Sequence, residues 1–171
     1  TPSGIPDFRT PVTGLWARTD PLEVATVQAF RHRPVDFFNW IRPLAQQMRS
    51  AQPNAAHHAL AQLESSGKLQ AVITQNIDRL HQRAGSNHVI ELHGNVEAAT
   101  CVRCYRVVPS EAFIDALINE GSVPTCPVCG GILKPNVILF GEALPAQALL
   151  AARRAAAACD LMLIAGSSLE V

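Results

Sequence analysis

No stretch of this 171-residue chain is apolar for anything near the roughly 20 residues that a membrane-crossing helix needs. An excess charge of either sign is also missing, with 14 basic against 14 acidic residues. That excludes a basic stripe recruiting nucleic acid and an acidic tail repelling it. A charged-then-apolar secretory leader is not found. Internal repeats are absent, and the one biased tract, the Ala-rich 151–158, is simply good helix former. Cysteine is sparse and odd in number: five, of which four fall in two close pairs. Such pairs favour metal binding in a reducing compartment over disulfides. What is plentiful is core material, at 48% hydrophobic residues, enough for one domain, or one with a small satellite. The expectation is a soluble, cytoplasmic globular protein with neither nucleic-acid nor membrane partners and an open oligomeric state.

Four short apolar runs each lead into a compact polar cluster. Residues 71–73 lead into Thr74-Gln75-Asn76-Ile77-Asp78, and 89–92 into His93-Gly94-Asn95. Residues 137–139 lead into Phe140-Gly141-Glu142, and 161–164 into Gly166-Ser167-Ser168. Short apolar runs alternating with helical stretches read as buried parallel strands, here 69–74, 88–92, 136–140 and 160–165. In an open parallel sheet ligands bind beyond the carboxyl ends of the strands, so the four clusters are expected to face one crevice. Helices are expected over 35–49 (interrupted at Pro43), from the N-cap Asn54 to about Ser66, over 77–84, over 111–119 ending at Gly121, and over 146–158. Residues 11–33 read as short helices or loops.

Cys101-x-x-Cys104 and Cys126-x-x-Cys129 are separated by 21 residues, close to the spacing of zinc ribbons. Four thiolates leave no open position on a tetrahedral zinc, so the ion is expected to hold the fold and do no chemistry. Arg103, Arg106 and Lys134 balance Glu111, Asp115 and Glu120 within 101–134, which speaks against a nucleic-acid finger. Cys159 reads as a buried small hydrophobe.

His93 is the sharpest catalytic candidate. It follows an apolar strand and precedes Gly94, which lets the backbone pass closely beside a ligand, and an imidazole is the natural base for a hydroxyl proton. His32, His57, His58, His81 and His88 default to structural roles. Asn76 and Asp78 have two readings of equal weight: caps for the following helix, or a carboxamide and a carboxylate that bind an amide ligand. Arg9 offers a planar fork suited to phosphate, Phe8 a flat apolar lid, and Gly166-Ser167-Ser168 backbone N–H groups and hydroxyls for phosphate or ribose. Singly each is a weak signal.

In combination they are specific. Ser3-Gly4-Ile5-Pro6-Asp7-Phe8-Arg9, Thr74-Gln75-Asn76-Ile77-Asp78-Arg79-Leu80-His81, Glu91-Leu92-His93-Gly94-Asn95, the four cysteines, Lys134-Pro135-Asn136-Val137-Ile138-Leu139-Phe140-Gly141-Glu142 and Gly166-Ser167-Ser168-Leu169-Glu170-Val171 follow one another in this order. So ordered, the chain closely resembles the sirtuins, the NAD-dependent protein lysine deacylases, from its first residue to its last. The resemblance implies an α/β fold: a Rossmann-like parallel sheet, incomplete at both termini, holding NAD and acyl-lysine (residues 1–95 and 135–171, within which 12–50 is a helical segment of the small lobe), and an inserted zinc-ribbon module at 96–134 carrying one structural zinc ion. It further implies catalytic roles for His93, as general base, and Asn76. Cofactor contacts are implied at Ser3, Ile5, Phe8, Arg9, Gln75, Asn76, Ile77, Asp78, Gly166, Ser167 and Ser168, and substrate contacts at Val137, Phe140, Gly141 and Glu142. The implied reaction expels nicotinamide and yields free lysine and O-acyl-ADP-ribose. The family's opening strand and glycine-rich turn before Ser3, and its adenine-side strand beyond Val171, are not in this sequence, so residues 1–171 alone are expected to bind NAD poorly and to have little or no activity. Where relatives that remove acidic acyl groups carry Tyr-x-x-Arg, this chain reads Trp40-Ile41-Arg42-Pro43-Leu44, so acetyl or longer apolar acyl groups are expected. Rival readings are an ADP-ribosyltransferase or NAD hydrolase on the same cleft, and a non-catalytic zinc-ribbon interaction protein.

Overall fold

A computed structural model describes residues 1–6 and 19–167. The larger of two apolar cores is built mainly by helices. Two short helices, α1 (Pro21–Val24) and α2 (Val27–His32), are each opened by a side-chain cap, Asp20 on Leu22 N–H and Thr26 on Ala29 N–H. They feed α3 (Pro34–Ser50), whose buried stripe of Phe37, Phe38, Ile41, Leu44 and Met48 recurs at helical spacing. Phe30, Phe37 and Phe38 meet edge to face, with centroids 5.1–5.9 Å apart, the arrangement that ring quadrupoles favour. Pro43 does not interrupt α3; it lies on the exposed side of one continuous helix. Leu80, Leu117, Val137, Leu139 and Ile5 complete this core.

Helix α4 (Ala55–Ser65) begins at Asn54, as expected, and leads into β1 (Val72–Thr74). After α5 (Leu80–Arg83), strand β2 (Val89–Glu91) pairs with β1 in parallel, Ile73 opposite Ile90. Helix α6 (Ala146–Ala158) packs against β2. The second core belongs to an antiparallel three-stranded sheet, order β4-β3-β5, made of β3 (Gly94–Cys101), β4 (Val107–Pro109) and β5 (Leu133–Val137). Ala99, Cys101 and Leu133 are fully buried in it. A 3₁₀ turn (Ser110–Ala112) and a π-helical turn (Ala116–Glu120) replace the expected helix 111–119, and the latter ends at Gly121.

Four further expectations are corrected. The run 136–140 is not a parallel strand: its first residues belong to β5 and pair antiparallel with β3, while Phe140 bridges Thr26 in parallel. An apolar run tells a strand from a loop but not which partner it takes. Residues 160–165 form no strand; Leu161 and Leu163 are more than three-quarters exposed, because no neighbouring strand among the described residues covers them. Helix 77–84 shortens to α5, because Arg79 sits in the left-handed region at φ 64° and breaks the helical path before Leu80. Cys159 is half-buried at the end of α6, its thiol directed at the Ala156 carbonyl, and is no core residue. Among the described residues, no helix is long and apolar enough to cross a membrane.

Candidate active site and zinc centre

The carboxyl end of β1 delivers Gln75, and the end of β2 delivers His93. Because β1 and β2 run in parallel, the two arrive side by side. His93 Nδ1 lies 3.1 Å from the Gln75 carbonyl oxygen. A carbonyl can only accept, so Nδ1 carries a proton, and in the neutral ring Nε2 keeps its lone pair. The backbone fixes this ring from both sides: Leu92 N–H donates to the Thr74 carbonyl, and Ile138 N–H to the His93 carbonyl. Gly94 follows at φ 70°, and a Cβ there would collide with the Asn136 carbonyl oxygen. The close approach anticipated at Gly94 is therefore to strand β5 rather than to a ligand.

His93 touches the loop after β1 through the Gln75 carbonyl, and segment 137–138 through Ile138 N–H. Asn76 is exposed; its N–H donates to Thr74 Oγ1, and its side chain makes no hydrogen bond among the described residues. It caps nothing. The capping reading holds instead for Asp78, whose Oδ1 accepts Leu80 N–H at 2.9 Å. Ile77 packs on the main core, and its carbonyl accepts Val96 N–H. Beneath the loop, Glu91 is a hub that accepts from Arg79 (3.2 Å), Gln82 (2.8 Å) and Asn95 (2.6 Å). Arg79 also pairs with Glu97 of the ribbon at 2.7 Å.

Val137 is buried opposite Gly94. The N–H and carbonyl of Phe140 are both taken by the 25–27 segment. Glu142 is committed within its own loop, its carboxylate accepting Leu139 N–H at 2.8 Å and the Lys134 ammonium at 3.0 Å. Lys134 also donates to the Val137 carbonyl. It is a brace for the candidate substrate segment that sequence reasoning did not single out.

On the cofactor side, Ser3 Oγ accepts from Asn54 Nδ2 at 2.9 Å, whereas Ile5 is a core residue. Gly166 and Ser167 are exposed at the end of the uncovered 161–165 stretch, and nothing lies within 4 Å of a Cβ built on Gly166. Phe8, Arg9 and Ser168 lie outside the described residues. A cleft of about 580 Å³ between α3, α5 and the ribbon is lined by Met48, Arg49, Asp78, Arg79, Glu97 and Asp115 but not by His93, so it is not the candidate site.

The four cysteines of the two knuckles bring their Sγ atoms within 4.8 Å of one another. Cys101–Cys129 and Cys104–Cys126 are 3.5 and 3.7 Å apart, and a tetrahedral zinc with Zn–S near 2.3 Å requires sulfurs about 3.8 Å apart. The donor set fits the ion. Backbone N–H groups of Cys104 and Arg103 point at Cys101 Sγ and bring its thiol down to about 6, while those of Val128 and Cys129 lower Cys126. Backbone N–H groups thus favour the thiolate, the form that binds metal, at one cysteine of each loop, while at Cys129 the Gly131 N–H is outweighed by the neighbouring sulfurs, which push that thiol up to about 11.

With this geometry in place, the comparisons with known proteins are decisive. The Sir2 family model matches residues 1–171. The chain belongs to the Sir2 family. It is 44% identical over 171 residues to an NAD-dependent protein deacetylase of Geobacillus kaustophilus, covering all of this chain and 68% of that protein. With an NAD-dependent protein deacetylase of Thermodesulfovibrio yellowstonii it shares 47% over 174 residues, covering 66% of that relative. A solved Sir2 structure holding deacetylated p53 peptide and 3'-O-acetyl ADP ribose superposes with a TM-score of 0.91 at 46% identity, covering 99% of this chain and 68% of that one. A Sir2–p53 peptide–NAD+ structure gives 0.86, again at 46%, covering 99% and 67%. The chain thus spans about two-thirds of the length of the relatives it matches.

Proposed function

We propose that this Sir2 protein is an NAD-dependent protein lysine deacylase, with NAD and an acyl-lysine peptide as ligands and one structural zinc ion in the ribbon. The observation that carries the reading is the His93 ring, held through Nδ1–H by the Gln75 carbonyl so that Nε2 is the free basic nitrogen. Relatives at 44–47% identity carry this activity in their names.

Polar groups suited to NAD are the Ser3 hydroxyl at the start of α4 and, after the carboxyl ends of β1 and β2, Gln75, the Asn76 carboxamide (unbonded among the described residues), Asp78 and the imidazole. Ser3, Ile77, Gln75, Asn76 and Asp78 would hold it, with Ile5, Gly166, Ser167 and, outside the described residues, Phe8, Arg9 and Ser168 as further contacts. NAD, when bound, would supply an anomeric ribose carbon that accepts the acyl oxygen as nicotinamide leaves, and a ribose hydroxyl oxygen that ends up carrying the acyl group. His93 Nε2 accepts the proton of a ribose hydroxyl, and the Gln75 carbonyl stabilises the imidazolium through the retained Nδ1–H. Asn76, exposed and unencumbered, orients the reacting groups. Val137, Phe140, Gly141 and Glu142 border the acyl-lysine channel, braced by Lys134.

Acetyl and longer apolar acyl groups are the preferred substrates. Arg42, the one cation of the Trp40–Leu44 stretch, reaches toward Gly121 of the ribbon, and no tyrosine accompanies it. Thiols kept for a metal suit a reducing compartment, and we place the protein in the cytoplasm. Incubation of the full-length protein with NAD and an acetyl-lysine peptide, read by mass spectrometry, tests the reaction. O-acetyl-ADP-ribose together with free lysine is the expected product; ADP-ribosylated protein or plain ADP-ribose would instead identify a transferase or a hydrolase. His93→Ala lowers kcat by roughly a hundred- to ten-thousand-fold, the usual worth of a general base.

A further inference from the structure

Asn54 opens α4, and every hydrogen-bonding group it owns on that side is in use. Its Oδ1 accepts the N–H groups of Ala56 (3.0 Å) and His57 (3.4 Å), which fixes the amide so that Nδ2 faces the other way. Nδ2 donates to Ser3 Oγ at 2.9 Å, 51 residues away in sequence. The Asn54 main-chain N–H donates to His57 Nδ1 at 3.2 Å, closing a reciprocal capping box. That box ordinarily carries Glu or Gln at its fourth position; here the acceptor is an imidazole. The ring stacks at a tilt on His81, with centroids 4.7 Å apart. His58 on α4 and Asp78 ahead of α5 are the other titratable groups acting on it.

From this geometry we infer that Asn54 and His57 are positioning residues for the cofactor: they anchor Ser3 so that its hydroxyl, already accepting from Asn54, turns its own proton toward a ligand oxygen. The role rests on the deacylase reading, in which Ser3 touches NAD. An acceptor-only ligand group, such as a phosphate or carboxamide oxygen, is what a hydroxyl so held recognises. The anchor also carries a proton sensor. A protonated His57 turns Nδ1–H against the Asn54 N–H, which breaks the capping box and loosens the side chain that holds Ser3. Burial first, and then its neighbour His58, hold His57 below the ordinary imidazole range against the pull of Asp78, so the anchor is intact at neutral pH.

Two substitutions separate this role from simple helix capping. Asn54→Asp keeps the cap oxygen but removes the NH₂ donor, so the Ser3 proton is drawn back to the new carboxylate. In the full-length protein KM for NAD is expected to rise about tenfold, the worth of one hydrogen bond, with kcat changed less than about twofold and the amide signals of Ala56 and His57 in place. His57→Gln restores the usual capping-box partner without a titrating group. The Gly4 and Ile5 amide signals are expected to shift in the unaltered protein as pH falls below 6.5, and should then stay flat. An unchanged KM in Asn54→Asp, or Gly4 and Ile5 signals that ignore both substitutions and pH, would overturn the proposal. Absence of NAD-dependent turnover in the unaltered full-length protein would instead remove the deacylase reading beneath it, a result distinct from either.

Discussion

The two sheets of this protein are stabilised in opposite ways. The ribbon sheet is self-contained: Ala99, Cys101 and Leu133 reach full burial within some 45 residues of chain, and four sulfurs close the tip. The parallel pair β1–β2 has no such closure. Ile73 on its surface and the run 161–164 after α6 stay open to solvent among the described residues. A metal-closed unit takes its stability from a few local ligands, whereas a parallel sheet draws on neighbours far away in sequence. The candidate site sits where the two meet, with His93 at the end of β2 and Gly94 starting β3. The same seam is tied by Arg79 bridging Glu91 and Glu97.

Stripping the zinc should break the comparison most severely. Structural zinc sites contribute apparent energies of about 10–16 kcal/mol, as much as a whole domain's stability of about 5–15 kcal/mol. A strong chelator, or Cys101→Ser, is expected to abolish the amide dispersion of 94–137 while that of α4 persists. Ribbon signals unmoved by chelation would show that the sheet stands without its metal. Next in size is Gly94→Ala, which adds left-handed strain to a collision with the Asn136 carbonyl and should destabilise by about 3 kcal/mol in urea titration. An Ala tolerated without loss would mean that β3 and β5 are not locked at the seam.

Smaller is the pH effect. The folded-state pKa values of His57 and His81 are both lowered, chiefly by burial. Above the unfolded value near 6.5 neither state binds the proton and stability is complete; below it the unfolded chain binds protons more readily, and stability falls with pH. Unfolding free energy measured between pH 8 and 5 should decline below about 6.5, less steeply in His57→Gln. Smallest is Leu163→Lys, which alters an exposed side chain and should change stability by less than about 0.5 kcal/mol. A larger loss would show that the 161–164 run is covered after all.

What could be read from sequence was what local chemistry decides. Asn54 caps α4, and Gly67 follows its end in the left-handed region, because caps and stops need only their own neighbours. The cysteine spacing carried the metal centre for the same reason. Strands β1 and β2 were legible as apolar runs, but the same signal misassigned 136–140 and 160–165, because partners lie elsewhere in the chain. His93 was legible by its place after a strand, though not the Gln75 carbonyl 18 residues earlier that sets its tautomer. His57 was passed over because imidazole is not the residue expected at that capping position, and Lys134 because its partners are mostly backbone carbonyls.

The central claim is that His93 offers Nε2 as the base because Gln75 holds the proton on Nδ1. Long-range ¹H–¹⁵N correlation of the imidazole at pH 8 reads the tautomer directly. A protonated Nδ1 and a bare Nε2 are the expected result; a proton on Nε2 would contradict the account.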